Sequence, residues 1–293
     1  MHYKFITNTF NYYITQTLFV LLQSIGRRCT ILEQYDKKDD TNTDVLYIIT
    51  FPQHIEPMPK RYIVYQLEQL HHPRFGKSSE YRRKLKQAKL CWDYSMSNIN
   101  IYSINTLQKW LPVPIMKIPK MFAPDCPKDM PSIDVLFYGT LNKRRMNILH
   151  YLHIELSKKG FKLAVLNTLF GERLHAYIQS SRVVVNIGYY EKSLLATYRI
   201  NETMVHERVI LSEKSFFPSD KHIMDQYEKG GVIFMEHIRN DLSNIQSQLI
   251  RPIMHLLENK KYYAACILKG KQFIQKKQLF FQYIINEHLN MVS

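Results

Sequence analysis

Short apolar runs alternate with stretches of helical periodicity along most of this chain. Tyr3 to Thr7 reads as a strand. Asn11 to Gly26 reads as a helix, because its apolar positions recur every three or four residues and Gly26 supplies a stop. Cys29 to Leu32 is a short second strand. An acidic, polar loop from Asp36 to Asp44 leads into Val45 to Phe51, a continuously apolar third strand halted by Pro52. Arg61 to Tyr65 follows as a fourth strand and Glu80 to Leu90 as a charged surface helix. Cys91 to Ser95 and Ile99 to Ser103 supply further strand and helix-cap pieces. Strands that are apolar throughout, separated by helices, predict a parallel sheet covered on both faces.

Between Trp110 and Pro131 the periodicity lapses. Pro112, Pro114, Pro119, Pro124, Pro127 and Pro131 punctuate the segment and oppose both helix and inner strand, which predicts a stiff extended linker. A long loop inside one domain is the alternative, although compact domains rarely carry one of this length. Beyond it the alternation resumes. Strands are expected at Asp134 to Tyr138, Phe161 to Val165, Val183 to Ile187, Val209 to Ser212 and Gly231 to Met235. Helices are expected at Lys143 to Lys159, with Gly160 closing it, at Glu172 to Ser180 and at Ile200 to His206. The remainder reads as helical, broken at Pro252. The pattern therefore predicts an α/β protein of two Rossmann-like domains facing each other across a cleft, divided as residues 1–120 and 121–293.

Composition narrows the class. A chain of 293 residues that is 45% hydrophobic and 22% charged can bury real cores and is not disordered. The formal net charge of +15 implies an anionic partner, and a nucleotide diphosphate, a nucleic acid, a membrane surface or an acidic glycan would each serve. The 20 Tyr and 15 Phe could stack on bases or sugars, or simply reflect AT-rich coding. Lys and Arg are dispersed, with local clusters at Arg82 to Lys84, Lys143 to Arg145 and Lys269 to Lys277. No basic arm favours a nucleic-acid tether. Cys29, Cys91, Cys126 and Cys266 lie far apart without CxxC spacing, so no zinc site or disulfide framework is expected and a reducing cytoplasm is the natural compartment. No secretory signal is read at the N-terminus. The apolar run from Thr17 to Ile25 is too short for a bilayer.

Candidate chemistry concentrates between Arg182 and Ser215. An apolar strand ends in Asn186, Ile187, Gly188, Tyr189 and Tyr190, and the following helix carries Arg199 and Glu202 three residues apart, on neighbouring spots of one face. A guanidinium holds phosphate oxygens bidentately, and a carboxylate accepts hydrogen bonds from a ribose diol. A second candidate is Asp134 to Arg145, a strand entering a turn at Gly139 with Lys143, Arg144 and Arg145 opening the next helix. Cations there oppose the helix dipole, which is easier to explain if an anion sits beside them; an ordinary solvated cluster is the alternative. Neither GxGxxG nor GxxxxGK[ST] occurs, against a standard dinucleotide dehydrogenase or P-loop protein.

Taken in order, these pieces resemble the donor-binding half of the two-domain GT-B glycosyltransferases, most closely the CgeB/YkvP-like family. The residues concerned are Phe137-Tyr138-Gly139 with Lys143 to Arg145, Gly171-Glu172-Arg173-Leu174, Ser181, Val185 to Tyr190, Arg199 with Glu202, and Val209 to Glu213. The resemblance covers about a third of the chain, from Asp134 to Phe234. It implies a UDP- or GDP-sugar as co-substrate, with no other cofactor and no metal, and a terminal helix that crosses back to the first domain. It also implies Glu202 on the ribose, and Arg199 or the Lys143/Arg144 pair near the diphosphate. The usual glycine-rich turn after such a glutamate is missing from Asn201 to His206. Asn186 would donate to sugar or phosphate, and Tyr189 and Tyr190 would stack on base or sugar.

The first half would then bind the acceptor, a glycan, a protein or another hydroxyl compound. An inverting transferase needs a base for the acceptor proton. Glu68, just past a strand end and followed by His71 and His72, is the first candidate, and Asp93 the second. The expected function is a nucleotide-sugar-dependent hexosyltransferase. The rivals are a nucleic-acid-binding protein or a nucleic-acid-modifying glycosyltransferase. The lysine-rich tail from Lys260 to Lys277 also allows a protein peripheral to a membrane.

Overall fold

The computed structural model describes residues 1–7, 12–102, 107–116 and 125–292. The expected contributions of Asn11, Ser103, Pro119 and Pro124 lie outside them. The chain divides into two compact units, Met1–Met116 with Lys277–Ser293, and Lys117–Lys276.

The first unit is built from β1 (His2–Ile6), α1 (Tyr12–Ser24), β2 (Arg28–Leu32), β3 (Val45–Ile49), β4 (Tyr62–Gln66), α2 (Pro73–Gly76), α3 (Ser79–Lys86), β5 (Leu90–Asp93), α4 (Met96–Ile101) and β6 (Gln108–Trp110). Its strands form one parallel sheet in the order β2-β1-β3-β4-β5-β6. Every residue of β3, β4 and β5 is buried, which is why these strands read as continuous apolar runs.

Two expectations change here. The proline-punctuated segment does not begin as a linker. Leu111, Val113, Ile115 and Met116 are buried, Leu111 N–H donates to Asp93 O, and Tyr65 Oη–H donates to Leu111 O. Its apolar residues fill the core, whereas its prolines only prevent regular structure. The charged helix α3 is also not wholly a surface element. Lys84 is 1% exposed and its ammonium meets Pro52 O, Ile55 O, Glu56 and Glu80 at 2.9–3.2 Å.

The second unit comprises β7 (Ile133–Tyr138), α5 (Lys143–Lys158), β8 (Leu163–Leu166), α6 (Gly171–Ser180), β9 (Ser181–Asn186), α7 (Thr197–Val205), β10 (Val209–Glu213), α8 (Lys221–Lys229), β11 (Ile233–Met235), α9 (Leu242–Ile245) and α10 (Arg251–Glu258). Its parallel sheet runs β11-β10-β9-β7-β8. Val135, Phe137, Val183, Val185, Val209 and Leu211 share its core with Ile148, Leu149, Leu152 and Leu156 of α5. Each such side chain contributes about 1.5–3 kcal/mol by leaving water.

The helix α8 was not expected. No break occurs at Pro252 either: a π-helical segment, Gln246–Ile250, joins α9 to α10, and Pro252 falls in the first turn of α10. The wider π turn just before it accommodates the proline ring inside the continuous helix. The chain turns instead at Asn259. The last helix, α11 (Lys260–Asn290), begins in the second unit and ends in the first. Phe281, Ile285 and Leu289, four residues apart, are buried there, and Arg27 donates to Asn286 and Asn290 at 2.7 Å.

Candidate active site

A parallel sheet whose chain leaves first to one side and then to the other opens a crevice at the carboxyl ends of the two strands where it reverses. In the second unit β7 is followed by β8 on one side and β9 on the other, so the reversal lies between β7 and β9. Tyr138 ends β7 and Asn186 ends β9. Gly139 follows with φ +132°, a conformation that side chains rarely adopt. Helix α7 comes after β9, and every residue in it except Tyr198 is buried.

Two arginines converge on Gly139. A Cβ placed there would lie 2.8 Å from Arg199 Nη2 and 3.5 Å from Arg145 Nη1. Both side chains are buried, at 5% and 4% exposure. Arg199 Nη1–H donates to Asn186 Oδ1 and Nη2–H to Tyr198 Oη, and its guanidinium stands 5.2 Å from the Tyr138 ring centroid. Arg145 donates to the carbonyls of Ile187 and Thr140 and lies 5.3 Å from the Tyr189 ring. Among the described residues neither arginine has a carboxylate within ion-pair distance. Burial first, then the Arg199 charge, pulls the Arg145 guanidinium down to about 9. Nearby, α7 lacks a side-chain cap at Ala196, and Thr197 Oγ1 and Arg199 Nε are buried atoms without a hydrogen-bond partner.

One turn along α7, the Glu202 carboxylate accepts from Tyr138 Oη–H at 2.9 Å and meets His175 Nε2 at 3.3 Å. Burial, followed by the Glu202 charge, raises the Tyr138 phenol well above its ordinary range, so it remains an O–H donor.

The other expected donor-site residues divide. Lys143 is exposed. Arg144 is committed elsewhere: its guanidinium spans both oxygens of Glu213 and also donates to Gly188 O and Ile238 O at 2.9 Å. Glu213 in turn accepts from the N–H groups of Gly188 and Ile238, so its oxygens are saturated by the loops after β9 and β11. Asn186 spends its side chain on Arg199 and on Ser212 Oγ, at 2.7 Å from the latter. It positions the arginine. Tyr189 is 39% exposed and packs edge-to-face on the half-buried Tyr190 at 5.0 Å.

Arg145 was not singled out from its basic cluster, although a signal existed: it lies three and four residues before Ile148 and Leu149, on the apolar stripe of α5. Tyr138 and Glu213 lay within the quoted motifs but had no role assigned there, and His175 had no local signal.

In the first unit Glu68 and Asp93 share a polar knot beyond β4 and β5. Gln66 Nε2–H donates to Asp93 Oδ2 and Glu68 O, and Asn98 Nδ2–H to Asp93 Oδ1 and Glu68 O, at 2.9–3.2 Å. Asp93 is fully buried and also accepts from Ser95 N–H, so its carboxylate is enclosed. Glu68 is half-buried, with Oε1 accepting from Gln53 at 2.8 Å. Burial pushes both carboxyls up to about 7.

The fold has solved counterparts. The chain aligns with crystal structures of HepE from Anabaena, in complex with UDP and glucose at TM-score 0.62 and 10% identity, and in complex with UDP-glucose at 0.60 and 11%. Each alignment covers 99% of both chains. This is the GT-B fold. At such identity the likeness is one of architecture. No family model matches the sequence, and no curated protein matches it.

Proposed function

We propose that the second unit binds a nucleoside diphosphate sugar and that the chain is a glycosyltransferase delivering the sugar to an acceptor hydroxyl. The observation that carries this is the pair of buried guanidiniums, Arg145 and Arg199, unpaired with any described carboxylate and meeting at Gly139. Two enclosed like charges repel and have lost hydration, and a diphosphate offsets both costs. The start of α7 adds partial positive charge, although Thr197 N–H and Arg199 N–H already donate to Leu195 O and Ala196 O. Glu202, one turn along α7 from Arg199 and held by Tyr138 Oη–H and His175, is suited to ribose hydroxyls. UDP is the base-bearing diphosphate to try first, because the HepE structures contain it. The motif order from Phe137 to Glu213 supports reading the chain as similar to the CgeB/YkvP-like family.

In the proposed reaction the acceptor oxygen attacks the anomeric carbon and forms the new C–O bond. The bond from that carbon to the β-phosphate oxygen breaks, and its electron pair leaves with the nucleoside diphosphate. Arg145 and Arg199 offset the charge that develops there, without a metal. The acceptor proton passes to Glu68, whose raised pKa suits a base working near neutrality.

Calorimetric titration with UDP tests the site. Arg199→Met and Arg145→Met keep the volume and remove the cation, and each should weaken UDP by about 10- to 100-fold. A wild-type protein indifferent to UDP- and GDP-sugars but binding DNA with steep salt dependence would instead be a nucleic-acid module.

A further inference from the structure

Helix α6 contributes a buried imidazole to the site. His175 is 0% exposed; its Nε2 lies 3.3 Å from Glu202 Oε1, and its ring packs 4.8 Å from that of His206. Burial first, with His175 and Arg208 adding to it, pulls the His206 imidazole down to about 3, so a neutral ring backs His175. The other Glu202 oxygen accepts from Tyr138 Oη–H at 2.9 Å. The carboxylate is thus held by one donor per oxygen, from α6 on one side and β7 on the other.

This matters because the terminal torsion of a glutamate is broad and roughly two-fold. A carboxylate held through one oxygen swings; two donors on separate elements fix its plane. A carboxylate offers about four acceptor positions, so about two remain after these bonds. Glu202 keeps 9% side-chain exposure, an opening through which a ligand hydroxyl pair can reach it. Adjacent hydroxyls, each donating to one carboxylate oxygen, require a defined plane more than a single hydroxyl does.

We infer that His175 is a positioning residue for nucleotide recognition: its Nε2–H sets the plane of the Glu202 carboxylate so that the remaining lone pairs meet the two ribose hydroxyls. This rests on the nucleotide site proposed above. His175 touches no ligand itself. Its effect reaches the nucleotide only through Glu202, so it must depend on the ribose hydroxyls.

That dependence supplies the test. UDP and 2′,3′-dideoxy-UDP are titrated calorimetrically into the full chain, as wild type, His175→Leu and His175→Gln. Wild type should favour UDP by about tenfold or more. H175L, which removes the donor, should lose about tenfold for UDP but less than about twofold for the dideoxy compound. H175Q, which restores an N–H at similar reach, should recover UDP affinity to within about threefold of wild type. Should H175L prove insoluble, His175→Asn replaces it, since its amide is too short to reach Oε1. Equal losses for both ligands, or no recovery in H175Q, would show that His175 only supports the fold and overturn the inference. If the wild type itself does not distinguish the two ligands, Glu202 is not on the ribose, and the placement of the nucleotide falls with it.

Discussion

Replacing Gly139 by alanine probes the convergence of the two arginines directly. Its φ of +132° is a region that a side chain enters at a cost of about 1–3 kcal/mol. The new Cβ would also stand 2.8 Å from Arg199 Nη2, closer than van der Waals contact allows, so the guanidinium must withdraw. Arg199 is tethered to Asn186 and Tyr198, and loosening a charge-assisted bond costs about 1.5–3 kcal/mol. Together these predict a loss of about 2.5–6 kcal/mol, or roughly 5–24 °C in the melting of the second unit. Gly160→Ala is the control, because Gly160 has φ +75° with nothing within 4 Å of its would-be Cβ. It should show backbone strain alone, about 1–2 kcal/mol. The Gly139 variant should in addition weaken UDP by about tenfold or more, and the control should leave UDP binding unchanged. Melting curves and calorimetry on both variants decide the matter. If G139A is no less stable than G160A and still binds UDP normally, the arginines do not crowd this point and the proposed anion cradle is wrong.

Other outcomes follow from the first unit and from the chemistry. Glu68→Gln should lower kcat by about 10²–10⁴ with UDP affinity unchanged, and should abolish the limb of the pH–rate profile near 7; retention of that limb would exclude Glu68 as the base. Asp93 and Glu68 bind protons more tightly folded than unfolded, so their contribution is complete at low pH and declines as pH rises towards about 7. For enclosed Asp93 this amounts to roughly 4 kcal/mol, and Asp93→Asn should flatten the slope of stability between about pH 4 and 7. Urea unfolding followed by Trp fluorescence reads this out, because the chain's two tryptophans, Trp92 and Trp110, both belong to the first unit; an unchanged slope would refute it. Transfer should persist in EDTA if Arg145 and Arg199 supply the charge for the leaving group, and its loss with recovery on adding magnesium would contradict that chemistry.

What the sequence determined by itself is local. Apolar runs such as Val45 to Ile49 and Val183 to Val185 announce strands buried on both faces, because a parallel sheet covered by helices leaves them no wet side. The three-residue spacing of Arg199 and Glu202 places them on one helical face whatever the rest of the chain does. The order in which strands join is another matter. That β7 sits between β8 and β9, which puts the crevice at Gly139, depends on pairings between segments far apart in the chain. The fate of three consecutive cations is equally non-local. Lys143 meets solvent, Arg144 meets Glu213 sixty-nine residues on, and Arg145 turns inward towards Ile187 and Gly139. His175 becomes a partner of Glu202 only because α6 packs beside β7 and β9. Residue type and spacing set what each side chain is able to do, but a charge or a hydrogen-bond donor acquires its role from the groups folding brings within a few ångströms, and only the tertiary structure decides which groups those are.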